Sequence, residues 1–452
     1  MLPTPRLPQP ISTPTRLDRA LALFADVRAG EGAGALLLAA NVFCLLTFYS
    51  VLKIVREALI LSEGGAEVKS YAAAGQALLL LALVPAYAAV AARVNRIKLN
   101  CGVALFFASH LVIFYFLGVA GVRVGIAFFL WIGIFNLVVI AQFWSFANDL
   151  YDDEQGRRLF PLVGVGASLG AVVGAGATAF SFVGIGAYGL MLIAACGLVL
   201  PVGLTIWANA RNRSGHAGAA RRSDEQPLAR TSGFRLVFSQ RYLLLIACLI
   251  VMVNVVNTLG EFLVGKLIAA NAAAAVASGA AGGASERDLI GTMSGYLQTW
   301  VNVLGFLLQA FVVSRVFKWI GVRGALFVLP LIALGSYSMI AIAPLLAVVR
   351  VAKILENSTD YSIQNTARHA LFLPTSREAK YNAKQAIDGF FWRVGDMLQA
   401  AIVFAGVALG LSVTTYAAIN IVLVMGWLLI VFALASEHKT LVTTYPKMEA
   451  VA

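Results

Sequence analysis

Charge is scarce in this chain: Asp, Glu, Lys and Arg make up 12% of its 452 residues, against 60% hydrophobic residues. Soluble domains carry about twice that share of charge, so a water-facing globule is excluded. Cysteine and histidine are rarer still, with four of each. Cys44, Cys101, Cys196 and Cys248 stand singly in apolar runs, which leaves no disulfide framework. His110, His216, His369 and His438 are far apart and fit no zinc spacing, so no metal site is expected. A GxxxxGK[ST] phosphate loop is missing, which excludes a nucleotide-hydrolysing motor, and no cofactor is expected. The GVGASLG at 164–170 matches part of a dinucleotide fingerprint but lies inside an apolar run, where small residues serve close helix packing. Residues 1–15 are rich in Pro and Thr and lack the charged-then-apolar order of a cleaved leader. The net charge of +12 has no basic and aromatic groove beside it, so nucleic acid is not an expected partner.

What the chain has in abundance is apolar runs of membrane-spanning length. With about 20 apolar residues needed per helix, twelve spans are predicted, at 34–60, 70–93, 101–121, 124–148, 160–181, 184–208, 242–268, 290–316, 322–343, 345–371, 383–409 and 412–435. Residues 16–31 set apolar residues at helical spacing against Arg16, Arg19 and Arg28 and predict a surface helix. The Ala- and Gly-rich stretch 269–284 reads as a loop. Basic residues collect in the even-numbered connections, most densely at 209–241. The positive-inside rule then places both termini and that central loop in the cytoplasm. The division is an N-terminal tail (1–33), a six-helix half (34–208), a central loop (209–241), a second half (242–435) and a C-terminal tail (436–452). Two six-helix halves about a polar loop are the layout of major-facilitator transporters, which rock about a site between the halves. The expectation is an all-α polytopic membrane protein of twelve transmembrane helices.

Three spans carry full charges in their interiors: Lys53, Arg56 and Glu57; Lys353, Glu356 and Asp360; Lys384, Asp388, Arg393 and Asp396. A charge at the bilayer centre costs roughly 2.5 to 3.5 kcal/mol, so such residues face protein or a water-filled path. At helical spacing they form polar stripes that can jointly line a cavity. Cations there suit an anionic substrate, and carboxylates suit a coupled proton or charge balance. The competing account is pairing within the set, for which Lys53 with Glu57 and Lys384 with Asp388 are spaced. Arg56, Glu63, Glu67 and Lys69, near the external end of the first span, read as a solvated interface. Sliding the chain by 208 residues lays Lys53 opposite Glu261, a faint trace of repeated halves.

Four segments together resemble the ATP/ADP translocases, the nucleotide transporters of intracellular bacteria and plastids. TFYSVLKIVREALILSEGGAEVKSY from Thr47 is similar to that family's first helix and GAEV turn. QFWSFANDLYDDEQGRRLFPLVGVGASLG from Gln142 is similar to its fourth connection. Glu261 and Lys266 are similar to its seventh-helix carboxylate and lysine. TSREAKYNAKQAIDGFFWRVGD from Thr375 resembles its loop leading into KAAID. Lys53 and Arg56 exchange the residue types usual in the family, and Glu261 is displaced by one position.

The resemblance implies exchange of a nucleoside triphosphate for a diphosphate, with Lys53 or Arg56, Glu154, Glu261, Lys384 and Asp388 important to transport. The expected substrate-binding set is Lys53, Arg56, Lys384, Asp388 and Glu261. Glu57, Lys353, Glu356, Asp360, Arg393 and Asp396 are expected to balance charge or couple, and Asp152, Glu154, Arg157 and Arg158 to form a cytoplasmic gate. A small anion, ATP or ADP in the sharpest version, and membrane lipids are the expected partners of a monomer in a bacterial inner membrane. A proton-coupled carrier of another organic anion and a lipid flippase fit the same residues.

Overall fold

The computed structural model describes residues 15–21, 26–91, 94, 96–151, 153–215, 233–376 and 378–444. Every regular element among them is helical. Apolar residues on nearly all sides leave these segments no stable conformation but one that bonds its backbone to itself, which is what a bilayer demands. In the first part of the chain a short helix, α1 (Arg16–Leu21), precedes α2 (Gly32–Ala91), α3 (Arg96–Val119), α4 (Gly125–Leu150), α5 (Asp153–Gly197) and α6 (Val199–Gly215). After the central segment come α7 (Gly233–Ser239), α8 (Arg241–Ala277), α9 (Glu286–Leu307), α10 (Val313–Ile342), α11 (Leu346–Thr359), α12 (Asn365–Ala370), α13 (Lys384–Ala386), α14 (Trp392–Ala408) and α15 (Val413–Thr444). Wide π turns join several of these, at Leu308–Val312, Asp360–Gln364, Ala379–Ala383 and Ile387–Phe391.

Among the described residues, eight helices are long and apolar enough to cross a membrane. Three of them bend inside: α2 at Gly65 (φ 76°), α5 at Gly186 (φ 72°) and α10 at Gly321 (φ 65°). A side chain at such φ meets its own carbonyl, so glycine is what lets the chain reverse there. Two expectations are corrected. The 269–284 stretch is no simple loop: α8 runs on to Ala277, as a run of alanines favours. The surface helix expected over 16–31 is confined to Arg16–Leu21 among the described residues. Its Asp18 is buried and accepts hydrogen bonds from the N–H groups of Gly30 and Gly32, at 3.1 and 2.9 Å, which folds the following chain back.

Two apolar cores fill the bundle, one built from α2 to α6 and one mainly from α8 to α15. The most extensive contact is of α2 on α5. A Cβ on Gly166, Gly170 or Gly174 would lie 2.5, 2.3 or 2.2 Å from the carbonyl oxygens of Ala39, Phe43 and Thr47. Glycine every four residues on one helix thus faces carbonyls every four residues on the other, and the backbones approach as no larger residue allows. Further contacts of α2 with α14, α8 and α9, and of α5 with α9, hold the two cores together.

Candidate functional site

The break at Gly65 turns the second limb of α2 beside the first. Lys69 thereby comes to 2.5 Å from Glu57, which also takes Arg56 at 2.6 Å. Arg56 stacks on the Phe129 ring at 4.7 Å. Across from them α8 brings Glu261, 3.8 Å from Lys69 and 3.7 Å from Lys353 of α11. Lys353 is fully buried, 3.2 Å from Glu356, and donates to the Asn257 carbonyl at 3.1 Å. Tyr337 donates to Glu356 at 2.8 Å and Asn357 donates to Glu261 at 2.8 Å. Gly260 makes room here, for a Cβ on it would stand 2.1 Å from the Tyr337 hydroxyl and 3.0 Å from Lys353 Nζ. Ions in an apolar bundle are stable only when matched this closely.

Two adjoining cavities open beside this network. One of about 240 Å³ is lined by Lys53, Arg56, Glu57, Lys69, Glu261 and Gln399, among others. The second, about 480 Å³, is lined by Gln76, Asn254, Asp360, Arg368, Trp392 and Asp396, among others. Asn257, Thr258 and Tyr361 belong to both walls. Lys53 lies 5.9 Å from the centre of the Tyr361 ring and has no carboxylate within 4 Å among the described residues. Arg368 likewise has none; it donates to Asn365 at 3.1 Å and stacks on Trp392 at 5.2 Å. Arg393 pairs with Asp396 at 3.3 Å, and Asn254 donates to Asp396 at 2.8 Å.

Of the expected binding residues, the structure brings Lys53, Arg56 and Glu261 to one cavity and leaves Lys384 and Asp388 outside both walls. Lys384 sits 5.7 Å from the Phe372 ring, and Asp388 is exposed. Of the expected balancing residues, Glu57 lines the first cavity, Asp360, Arg393 and Asp396 line the second, and Lys353 and Glu356 are buried behind them. The partner of Glu57 is Lys69 with Arg56, where helical spacing had pointed to Lys53. Lys69 is therefore an interior residue and no solvated one, because the Gly65 reversal tucks it under the first limb. Sequence spacing along the run of α11 and α12 carries a signal for Arg368, but none for the amides Gln76, Asn254 and Asn257, which come from other helices.

The two ends of the bundle differ. At the Gly65 end, ion pairs join the first core to the second: Lys266 to Glu67 at 2.8 Å and Arg287 to Glu63 at 3.4 Å. Arg287 also lies 5.3 Å from the Tyr188 ring, and Glu63 accepts from the Gly125 N–H at 2.7 Å. At the other end the expected gate residues turn toward the N-terminal segment. Glu154 pairs with Arg28 at 2.5 Å and Arg158 with Glu31 at 2.8 Å. Burial disfavours the charge of Glu31, but hydrogen bonds from Arg158, the Arg28 N–H and Gln155 outweigh it and hold its carboxyl below the usual range. Asp152 and the side chain of Arg157 lie outside the described residues.

A multi-pass helical bundle with charges and amides turned inward on two cavities, its two cores joined at one end by ion pairs, has the architecture of a membrane transporter rather than an enzyme. The sequence profile of the TLC ATP/ADP transporter family matches residues 126–439, and the chain belongs to that family, which makes it a secondary transporter of a small molecule. Solved transporters share its major-facilitator-like fold. The nucleoside transporter NupG superposes with a TM-score of 0.60 at 12% identity, covering 89% of this chain and 98% of that one. A bacterial homologue of the iron transporter ferroportin, in an inward-facing state, gives 0.60 at 13% identity over 89% and 99%. A bacterial homologue of the human lysosomal transporter Spinster, inward-facing and unoccupied, gives 0.53 at 14% over 92% and 97%. No curated protein matches the chain.

Proposed function

We propose that the protein exchanges ATP for ADP across a bacterial inner membrane by alternating access, as a monomer with both termini in the cytoplasm. Dividing α2, α5 and α10 at their glycines and adding the segment of α11 and α12 to the membrane helices makes twelve spans, six before the central loop and six after it. The two halves, 34–208 and 242–435, are the bodies that rock.

The observation that carries the substrate class is Lys53, a cation without a carboxylate in a cavity wall. An unpaired ammonium away from bulk water calls for an anion. Polyphosphate between Lys53 and Arg56 would draw Arg56 and Lys69 away from Glu57, trading ion pairs within the protein for charge-assisted bonds to substrate. The aromatic faces of Tyr361 and Trp392 and the amides of Asn257, Asn365 and Gln76 suit a base and sugar in the larger cavity. Glu261 and Glu57 retake the cations when the site empties, so the unloaded carrier does not hold naked charge.

On this reading the pairs of Lys266 with Glu67 and Arg287 with Glu63 close the site at the Gly65 end. Their separation is the outward opening, and only substrate that stabilises the intermediate closed state lets the halves cross, which enforces exchange. Lys384 and Asp388 would meet the nucleotide near the cytoplasmic side. Asp152, Glu154, Arg157 and Arg158 would form a latch there in the opposite state.

The test is uptake of labelled ATP into proteoliposomes loaded with ADP, with empty vesicles and Lys53→Ala as controls. Uptake should require internal ADP and fall by about tenfold or more in the variant, the loss of one charge-assisted contact. Folded wild-type protein that takes up no ATP would overturn the proposal.

A further inference from the structure

Among the described residues, five carboxylates stand at or behind the two cavities, and four of them have a cation within 4 Å. Glu57 has Arg56 and Lys69, Glu261 has Lys353 and Lys69, Glu356 has Lys353, and Asp396 has Arg393. Asp360 is the exception among the described residues. It is 8% exposed, and its one hydrogen bond comes from Asn257 Nδ2 at 3.5 Å, the outer limit for such a bond. It lines the larger cavity with Arg368. It also opens the π turn Asp360–Gln364, a widened turn of a kind frequent at functional positions.

We infer that Asp360 binds a proton together with ATP and releases it on the far side, so that each exchange carries a proton with the more highly charged nucleotide. This rests on the nucleotide-exchange proposal. A buried carboxyl with no cation within 4 Å is, of the five, the one whose neutral form costs least. The groups facing it from each neighbouring element are spoken for or set apart. From α8 come Asn257 and Glu261, the latter held by Asn357. From α10 comes Tyr337, committed to Glu356. From α14 come Arg393 and Asp396, paired together. From α2 comes Lys53, beyond Tyr361. On its own helical run, Lys353 faces Glu356, and Arg368, the cation that acts most on Asp360, lies beyond 4 Å from it and stacks on Trp392.

The charge balance gives the proton its use. With Asp360 ionised, the interior cations Lys53, Arg56, Lys69, Lys353, Arg368 and Arg393 face five carboxylates; with it protonated they face four. ATP carries one more negative charge than ADP, so a proton on Asp360 offers the larger anion one more unit of net positive charge. The proton comes from water on the side where ATP binds, rests on the Asp360 carboxyl during the crossing, and returns to water where ATP leaves. ADP travels back with Asp360 ionised, and the net charge moved in the two directions is equal.

The experiment uses the full chain in ADP-loaded proteoliposomes, with the membrane potential clamped and a trapped pH dye. External acid one pH unit below the lumen should raise steady-state ATP accumulation by up to about tenfold, the ratio that one proton per nucleotide delivers. The dye should record acid entering with ATP. In Asp360→Asn, whatever exchange remains should ignore the pH difference and move no proton. Asp360→Glu should restore proton entry with a shifted pH profile. ATP exchange in the wild type with no proton signal, or a signal unchanged in Asp360→Asn, overturns the inference alone. If Asp360→Asn does not assemble, an Asp360→Glu pH profile identical to wild type overturns it. Absence of any ATP exchange defeats the nucleotide proposal and this inference with it.

Discussion

Along α5, Gly166, Gly170 and Gly174 let α2 come so close that a methyl group would strike its carbonyls, whereas α8 and α11 are joined through Lys353, Glu356, Glu261 and Asn357. The first seam is held by dispersion between backbones and contains no charge at these positions. The second holds ions that have given up their hydration and depend on one another. Packing of small residues gives a contact with one geometry; a network of ions and amides gives one whose partners can be exchanged when a ligand arrives. The difference fits a division of labour: a rigid joint in the first half, a responsive wall in the second.

The strongest way to break the comparison is Lys353→Met. It leaves Glu356 and Glu261 without their buried partner, and removing one member of such a pair costs about 3 to 5 kcal/mol. A large fall in melting temperature in detergent is expected, and Lys353→Met with Glu356→Gln should regain most of it. Equal stability of the single variant would show that the network is dispensable.

The glycine seam should respond less but with more positional selectivity. Gly170→Ala puts a methyl group 2.3 Å from the Phe43 carbonyl, an overpacking expected to cost about 1 to 3 kcal/mol. Gly203→Ala, on α6 with nothing within 4 Å, should be neutral or gain up to about 1 kcal/mol from helix propensity. Similar melting shifts in the two variants would remove the seam's special status.

At the Gly65 end the Lys266 to Glu67 pair is partly exposed, so Lys266→Ala should change the balance of conformers by about 1 kcal/mol, roughly fivefold in population. Spin labels at positions 62 and 285 would report more of the open form. An unchanged distance distribution would mean that the pair does not gate.

The smallest effect is at the N-terminal segment. Burial opposes ionisation of Asp18, but the N–H groups of Thr15, Gly30 and Gly32 and the Thr15 hydroxyl outweigh it and hold its carboxyl at about 2. A depressed carboxyl stabilises the folded segment at pH above its ordinary value near 4, and that contribution is lost as pH falls from about 4 toward 2. Amide exchange of residues 15–35 should speed up over that interval and stay flat in Asp18→Asn.

Much of the architecture was legible in the chain because a bilayer leaves few choices: apolar length and helical backbone follow from one another. The stripe on α11 was legible for the same reason, since charges in an apolar run must turn inward together. The glycine run at 164–170 was legible as a packing motif, and Ala39, Phe43 and Thr47 supply the partner surface. Partners across helices were not. Glu57 met Lys69 through a reversal at Gly65, and Asn254 and Asn257 of α8 and Gln76 of the second limb of α2 reached the cavities from segments that carry no stripe.

The sequence by itself determined that this is a helical membrane protein with a charged interior, because hydration energy forbids those residues any other place. Only the tertiary structure decided which charges are paired and which stand alone. Ion pairing depends on distances of a few ångströms between segments up to hundreds of residues apart, and such distances are set by how helices bend and pack. Lys53 and Asp360 look no different in the chain from Arg56 and Asp396; their isolation exists only in three dimensions.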